Sequence, residues 1–350
     1  MAIAFTPAVD LLLPGLIPSQ RPDEQAAPLP RLPALERLLA RSDRCEVEAT
    51  TSHKWLTQRF GLPVARELPA GALSLLADGG QPRDGCWLRA DPVHLRVHRD
   101  QLVLADHCVF GISQREAETF ADALNRHFVH DGLIFYALRP ERWYLRVPVR
   151  PEILTTPLAD AVGRPIDSLL PRGAEALAWH GLFNEIQMLL HDVPLNAERE
   201  ARGALPVNSL WLWGVGPLPA AIERPYELVV TDDPVARGLA RVAGCETAPL
   251  GGDIWQPLAC SRQGDVLLFE PVLDLMRAYA DEASLSETLA QLEGGVFAPL
   301  LEELNSGRLQ RLRIFTFVGA SGVGFEATRL SLWRFWRNAE PLFDYAGRGP

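Results

Sequence analysis

The side chains best suited to chemistry in this 350-residue chain lie between residues 180 and 216. On a helix, four polar side chains there would share one face: His180, Asn184, Gln187 and His191. Such a row either binds a ligand through hydrogen bonds or faces solvent, and both interpretations stay open. Asn196 and Arg199 follow it, and a guanidinium group can clamp a phosphate or a carboxylate.

A tryptophan-rich run comes soon after these residues. Asn208 precedes it, and Gly214 and Gly216 let the backbone turn sharply at its end. The end of a strand in an open α/β sheet is where ligands collect. We therefore predict a ligand-binding role, without catalytic assignments, for one set of residues: His180, Asn184, Gln187, His191, Asn196, Arg199, Asn208, Trp211, Trp213, Gly214 and Gly216.

Other groups give weaker signals. The glycine-rich run 319–324 follows a strand, but too few residues remain after it for a dinucleotide-binding βαβ unit, so a structural turn is favoured. Five cysteines without a CxxC pair predict reduced thiols rather than disulfides or a zinc knuckle. Trp333, Phe335 and Trp336 are predicted to pack in a core, although their alternation with Arg334 and Arg337 leaves a docking surface open.

The elements that position these residues follow from hydrophobic periodicity. Helical patterns at 34–41, 234–243 and 284–304 alternate with short apolar runs that indicate buried strands: 9–13, 210–213, 227–231, 265–270 and 311–318. The run Thr231-Asp232-Asp233 is predicted to supply the cap at the start of the second helix and Gly244 to close it, and Ser284 is predicted to open the third helix with a capping box. This alternation predicts an α/β fold, with a largely parallel sheet covered by helices on both faces.

Residues 85–150 interrupt the alternation. Two runs of alternating polarity, Val93–Val97 and Leu102–Ala105, indicate a hairpin. A capping box at Ser113 then starts a helix, and two further strand-like runs follow at 133–137 and 143–147. We predict a small ββαββ (α+β) subdomain at 85–150, inserted in a core made of residues 1–84 and 151–350.

The order of these residues resembles one enzyme family. The pattern from Asn196 through Gly203 and Asn208 to Gly216 resembles a block of the archaeal-type cofactor-independent phosphoglycerate mutases, which belong to the alkaline phosphatase superfamily. The helices that start near Pro33 and Val235, and the predicted insertion, are similar to parts of the same family. The chain as a whole most resembles bacterial proteins regarded as predicted mutases of this type, or as regulators of pathogenicity factors. The resemblance implies an alkaline phosphatase-like core.

The resemblance also implies two divalent metals held by aspartates and histidines, and a serine or threonine nucleophile. Here Leu13-Pro14-Gly15 stands where the family has its first aspartate ligand, and all eight histidines precede residue 192, so the family's late histidine ligands are missing. We therefore expect no metal cofactor. The predicted function is that of a degenerate, non-catalytic mutase-like protein with a regulatory role, whose partner is a small phosphorylated metabolite or a regulatory protein.

An active enzyme is the alternative. It would be a 2,3-bisphosphoglycerate-independent phosphoglycerate mutase or a related phosphomutase or phosphatase, with manganese or zinc and 3-phosphoglycerate as the natural substrate. Ser209 or Ser321 would then have to be the nucleophile. The metal ligands would come from four aspartates: Asp10, Asp232, Asp233 and Asp265.

Charge and hydropathy limit the partners and the location. The formal net charge of −10 at pH 7 repels phosphate backbones, so nucleic acid is not an expected partner. The apolar run 9–17 contains Pro14 and Gly15 and is too short to span a bilayer. We expect a cytoplasmic protein that does not bind membranes.

Overall fold

The computed structural model describes residues 6–18, 29–64, 66–250, 264–279, 281–319 and 321–345. In chain order its strands are β1 Thr6–Leu12, β2 Asp43–Val47, β3 Cys86–His98, β4 Gln101–Ala105, β5 Ile134–Arg139, β6 Arg142–Val147, β7 Ile153–Leu154, β8 Arg172–Gly173, β9 Ser209–Gly216, β10 Leu228–Val230, β11 Glu246–Ala248, β12 Val266–Phe269, β13 Leu309–Val318 and β14 Ser321–Thr328. Its helices are α1 Pro33–Arg41, α2 Ser52–Arg59, α3 Ala70–Ala77, α4 Gln114–Phe128, α5 Leu158–Ala161, α6 Ala176–Asp192, α7 Pro194–Ala201, α8 Pro234–Ala243, α9 Val272–Ala278, α10 Glu282–Leu292 and α11 Ala298–Ser306.

The chain forms two compact units. Residues 1–64 and 221–350 make the first, which we call the parallel-sheet unit, and residues 65–220 make the second, the antiparallel unit. The predicted insertion, 85–150, covers only part of the antiparallel unit. The unit extends to residue 220 because β9 pairs with β3.

The parallel-sheet unit contains a sheet of order β11-β10-β12-β1-β13-β14-β2. The pairs from β11 to β13 are parallel, whereas β14 and β2 add an antiparallel edge. Val9 and Leu11 of β1 lie in the apolar core formed with α1, α10 and α11. Because side chains alternate along a strand, Asp10 faces the opposite side, where Arg59 of α2 contacts it. The predicted fold class, a mostly parallel sheet with helices on both faces, is confirmed.

The antiparallel unit is built on β3, which pairs antiparallel with β4, β6 and β9. Apolar residues of α4 and α6 share one core with this sheet, including Phe120, Trp143 and Leu190. The Trp-rich strand β9 was expected in the parallel sheet, and this expectation is wrong. All eight residues of β9 are buried, so their pattern could not distinguish a strand of the parallel sheet from an antiparallel partner of β3.

Local capping signals in the sequence are largely confirmed. Ser113 and Glu116 form both hydrogen bonds of the predicted capping box at α4. Asp233 caps α8, which ends at Gly244 in the left-handed conformation. The start of α10 differs from the prediction: Asp281, not Ser284, is the N-cap, because its carboxylate accepts the backbone N–H of Ser284. A π-helical turn, Glu293–Phe297, joins α10 to α11.

Two further expectations concern thiols and membranes. The four cysteines among the described residues, Cys45, Cys86, Cys108 and Cys245, are free thiols, as predicted, and Cys260 lies outside the described residues. The helices in the described ranges include none with the length and apolar character needed to cross a bilayer.

Candidate functional site

The carboxyl end of β1 lies at the edge of the sheet where parallel strands usually bind ligands. The turn there is Leu13-Pro14-Gly15, and Gly15 has a φ of +77°. A Cβ atom at Gly15 would lie 2.6 Å from the backbone nitrogen of Asp274, so the turn is packed tightly against α9. The guanidinium of Arg277, also in α9, donates hydrogen bonds to the backbone carbonyls of Gly15 and Leu16. A cationic side chain therefore lies beside the end of β1.

Carboxylates follow the neighbouring strands β10 and β12. Asp233 is the N-cap of α8, and Asp232 accepts the backbone N–H of Leu250 at 3.2 Å. Glu270 follows β12 and accepts the N–H of Val272 at 2.9 Å. Burial raises the pKa of Glu270, and the negative charges of Asp232 and Asp233 raise it further. Carboxylate oxygens are the ligands that a hard divalent cation prefers.

Asp10 is fully buried, and its carboxylate is already occupied by protein donors. Arg313 donates to Oδ1 at 2.5 Å and to Oδ2 at 3.0 Å, and Arg59 donates to Oδ2 at 2.6 Å. The hydroxyl of Tyr226 donates to Oδ2 at 2.7 Å. Burial and the negative charge of Asp10 raise the pKa of Tyr226 well above its ordinary value, so the hydroxyl keeps its proton at neutral pH. These contacts leave Asp10 poorly placed to ligate a metal.

The other residues named for an active enzyme lie at the ends of three different strands. Asp265 precedes β12, so it lies at the opposite end of that strand from Glu270. Ser209 is fully buried at the start of β9 in the antiparallel unit, and its hydroxyl has no hydrogen-bond partner among the described residues. Ser321 is exposed at the first position of β14, and residues 321–324 of the glycine-rich run pair with β13 as strand rather than forming the predicted turn. Asp265 therefore lies at the opposite edge of the sheet from Asp232 and Asp233, whereas Ser321 begins β14 at the same carboxyl edge as those two aspartates.

The predicted ligand residues Asn196 and Asn208 use their side-chain amides in hydrogen bonds with the protein backbone. The amide of Asn196 donates to the carbonyls of Leu190 and Val207 and accepts the N–H of Val207. The amide of Asn208 pairs in the same way with the backbone of Leu95. Both side chains hold neighbouring segments together, and their ligand-binding role stays a prediction.

Arg199 is also committed to the protein. It is fully buried and donates to the carbonyls of Leu205 and Gly111 at 2.9 Å and 2.7 Å. Its third contact is a salt bridge of 2.8 Å to Glu116 of the α4 capping box. A guanidinium in this position joins α7 to the start of α4 and leaves little capacity for an external phosphate.

The tryptophans and glycines of β9 belong to a buried polar network. Trp211 donates to the carbonyl of Thr156 at 2.8 Å, and Trp213 donates to Asp91 at 2.6 Å. Asp91 pairs with Arg89, whose guanidinium lies over the Trp213 ring. This ion pair was not predicted from the sequence. An Arg and an Asp two positions apart inside an apolar strand could have indicated it.

The glycines of β9 allow close approach of the chain. Gly214 has a φ of +70°, and a Cβ there would lie 2.5 Å from that of Ala70. Its N–H donates to the carboxylate of Glu67 at 2.8 Å. A Cβ at Gly216 would lie 2.6 Å from that of Pro69. These glycines pack against α3 and the residues before it.

The polar row on α6 mostly faces solvent. Asn184 and His191 are exposed and Gln187 is half-buried, while Nε2 of His180 lies 2.8 Å from the carbonyl oxygen of Pro171. A groove of about 1070 Å³ lies between α4 and the α6–α7 region, lined by Arg115, Arg126 and Asp192 among others. None of the predicted ligand residues lines this groove.

Comparison with known proteins gives these features a context. No protein-family model matches the chain. The 2,3-bisphosphoglycerate-independent phosphoglycerate mutase of Methanothrix thermoacetophila is 28% identical over 156 residues, 43% of this chain and 39% of that protein. The enzyme of the same name from Methanosarcina mazei is 31% identical over 143 residues, 39% of this chain and 35% of that protein. The chain is related in sequence to these mutases.

The resemblance predicted from the sequence is therefore confirmed. Each match spans well under half the length of the mutase relative. Among solved structures, the PH0037 protein of Pyrococcus horikoshii superposes with a TM-score of 0.54 over 93% of this chain and 87% of that one, at 14% identity. This superposition shows that the mutase-like chain shares its fold with the PH0037 protein.

Among the described residues, one group of side chains lies close enough together to hold a metal. Asp106, His107 and Cys108 each offer one ligand atom, and these atoms lie within 4.8 Å of one another. Burial and the carboxylate of Asp106 raise the pKa of the Cys108 thiol to about 11. A bound cation would favour the thiolate. The expectation of no metal cofactor thus stays a prediction.

Glu116 gives the mutase-like fold a pH dependence. Burial raises the pKa of Glu116, but hydrogen bonds from Ser113, Arg202 and Arg199 outweigh this effect and lower it to about 2. Because the unfolded value is about 4.3, the carboxylate stabilises the fold above that pH, and this stabilisation disappears as the pH falls toward 2. In urea titrations, Glu116→Gln should cost roughly 1–2 kcal/mol at pH 7 and progressively less below pH ~4.

Glu118→Gln is the matched control on the same helix. Glu118 is exposed and contacts Gln114 instead of an arginine. Its replacement should leave the acid limb of the wild-type stability profile unchanged. If Glu116→Gln has the same acid limb as wild type, Glu116 is not the group that links folding to pH.

Proposed function

We propose that this chain is a mutase-like protein that does not transfer phosphoryl groups and acts by binding a small phosphorylated metabolite or a regulatory protein. The proposal rests on the residues found at the carboxyl end of β1. Where the resemblance implies an aspartate ligand, the chain has Pro14, and the guanidinium of Arg277 binds the carbonyls of the turn.

The chemistry of the family makes this substitution consequential. Two-metal phosphoryl transfer requires anionic and imidazole ligands around both ions, which stabilise the charge of the transferring group. The proline side chain has no ligand atom, and a fixed guanidinium repels a divalent cation. Asp10, the carboxylate nearest in sequence to this turn, is paired with Arg59 and Arg313. Both differences act against assembly of a paired metal site.

A metal-dependent mutase or phosphatase is the second candidate, favoured by one specific observation. Burial raises the pKa of Glu270, and repulsion from Asp232 and Asp233, which follow the neighbouring strand β10, raises it further. A divalent cation bound there would relieve that repulsion. The name shared by the sequence relatives makes 3-phosphoglycerate the substrate to try first.

One experiment separates the two candidates. The full chain is stripped with a chelator, dialysed against Mn²⁺ or Zn²⁺, and assayed for bound metal and for phosphoglycerate mutase and phosphatase turnover. We expect no turnover above a blank without protein. Two bound ions per chain together with turnover would establish the second candidate.

Matched variants locate any metal that binds. Glu270→Gln removes a ligand at the sheet edge, whereas Cys108→Ser removes one from the Asp106–Cys108 group. Metal lost only in the Cys108 variant, without turnover, is consistent with the proposed function. Metal and turnover lost together in the Glu270 variant would contradict it.

A further inference from the structure

Large aromatic side chains are exposed near the end of the described chain. Trp333, Phe335 and Trp336 are 70%, 75% and 67% exposed, and Leu330 beside them is 82% exposed. We call these four residues the aromatic patch. The prediction that the aromatic residues pack in a core is wrong. Single exposed apolar residues are common, but a contiguous group of this kind marks an interaction surface.

Arginines hold the backbone of this segment in place. Arg334 donates to both carboxylate oxygens of Asp43, at 2.5 Å and 2.9 Å, and Arg337 donates to the carbonyl of Ser42. Arg41 of α1 donates to the carbonyl of Leu332 at 2.5 Å. The arginines of the segment thus bind Asp43 and the backbone of Ser42, whereas the aromatic rings are exposed. The patch is presented on a fixed backbone, which lowers the entropic cost of binding.

Cations border the patch. Trp333 and Phe335 line a cavity of about 260 Å³ together with Arg37, Arg41 and Arg329. Arg37 and Arg329 are exposed, and neither makes an ion pair within the described ranges of the chain. The surface is therefore apolar at its centre and positive at its rim, on a chain whose net charge is −10. Tryptophan and arginine are the residues most enriched in binding hot spots.

The charges around the aromatic patch favour one kind of binding partner over the others. A second copy docking by the same patch would place Arg37 and Arg329 against their own counterparts, since a two-fold contact uses one surface twice. Polyanionic nucleic acids and anionic membranes are repelled by the net charge of the whole chain. A short acidic segment of another protein carries few charges, meets the arginines locally, and can place apolar side chains against the rings.

We propose that the aromatic patch and its rim arginines form a docking surface for an apolar segment of a partner protein that carries flanking carboxylates. This inference names the partner chemistry and does not depend on whether the chain turns over phosphate. The test measures binding only, so its failure is independent of the metal and turnover assays.

The probe is a short, fluorescently labelled helical peptide with leucine on one face and glutamate on the other. A second peptide has lysine in place of glutamate. Fluorescence anisotropy with the full chain should show at least about tenfold tighter binding of the glutamate peptide. The double variant Trp333→Ala and Trp336→Ala, and separately Arg37→Glu, should each weaken binding by about tenfold or more.

The controls are exposed residues of the antiparallel unit. Leu177→Ala removes an equally exposed apolar side chain, and Arg96→Glu reverses an exposed charge on β3. Both should bind the glutamate peptide like wild type, and thermal melts should show that all variants remain folded. Equal binding of the two peptides, or no loss in the patch variants, would overturn the proposal. Patch-dependent binding to phosphatidylglycerol vesicles or to an oligonucleotide, or a patch-dependent dimer, would replace it with another occupant.

Discussion

Replacing Asp10 with alanine is expected to lower the free energy of unfolding by about 3 kcal/mol or more. Asp10 is fully buried, and its two oxygens accept hydrogen bonds from Arg59, Arg313 and Tyr226. Without the carboxylate, two guanidinium groups repel each other in the parallel-sheet unit, and the buried Tyr226 hydroxyl loses its acceptor. Urea unfolding at neutral pH measures the loss.

Asp265→Ala is the matched control for Asp10. Asp265 also approaches Arg313, at 3.7 Å, but its side chain is 36% exposed. Its removal should cost less than about 1 kcal/mol, as for other solvent-exposed ion pairs. Equal losses in the two variants would show that water already screens the Asp10 network. In that case Asp10 would again be a candidate ligand, and added Mn²⁺ should raise the stability of wild type but not of Asp10→Ala.

Asp10 also illustrates what the sequence could not provide. An aspartate in a buried strand has the right chemistry for a metal ligand, and the sequence offers no reason to prefer an ion pair. Its partners lie 49, 216 and 303 positions away along the chain. Only the parallel pairing of β1 with β13 places Arg313 opposite Asp10.

Structural features that depend on a few neighbouring residues, such as helix caps, were mostly predicted correctly. The capping box at Ser113 and the caps of α8 depend on side chains next to the backbone groups that they satisfy, although the same pattern at Ser284 lost the N-cap position to Asp281. Strand β9 is different, because its partner β3 is distant in the chain and continuous burial carries no information on direction. The location of the strand was therefore wrong although its existence was correct.

The prediction that the aromatic residues of the patch pack in a core was wrong for another reason. Hydrophobic residues are usually buried, but the rule does not require that every tryptophan be so. Here Arg334 and Arg337, rather than the aromatic rings, contact the rest of the protein, through backbone carbonyls and Asp43. The alternation that left a docking surface open was the informative part of the pattern.

From the sequence we expected Arg199 to clamp a phosphate. Its buried contacts predict instead that removing its side chain strongly destabilises the fold. Arg199→Ala should lower the free energy of unfolding by about 3–5 kcal/mol. The change leaves the carbonyls of Gly111 and Leu205 without their donor, opens a cavity, and removes the salt bridge to Glu116. Urea unfolding at pH 7 measures the effect.

Arg202→Ala is the control, because Arg202 contacts the same carboxylate of Glu116 from a position that is 52% exposed. It should cost less than about 1 kcal/mol. Arg199→Lys should recover only part of the loss, since an ammonium cannot make the divergent contacts of a guanidinium. If Arg199→Ala is as stable as wild type but loses affinity for inorganic phosphate or 3-phosphoglycerate, the clamp interpretation is right and the buried contacts contribute little. Loss of stability without any change in ligand affinity would make Arg199 a structural residue, which is the result that its burial predicts.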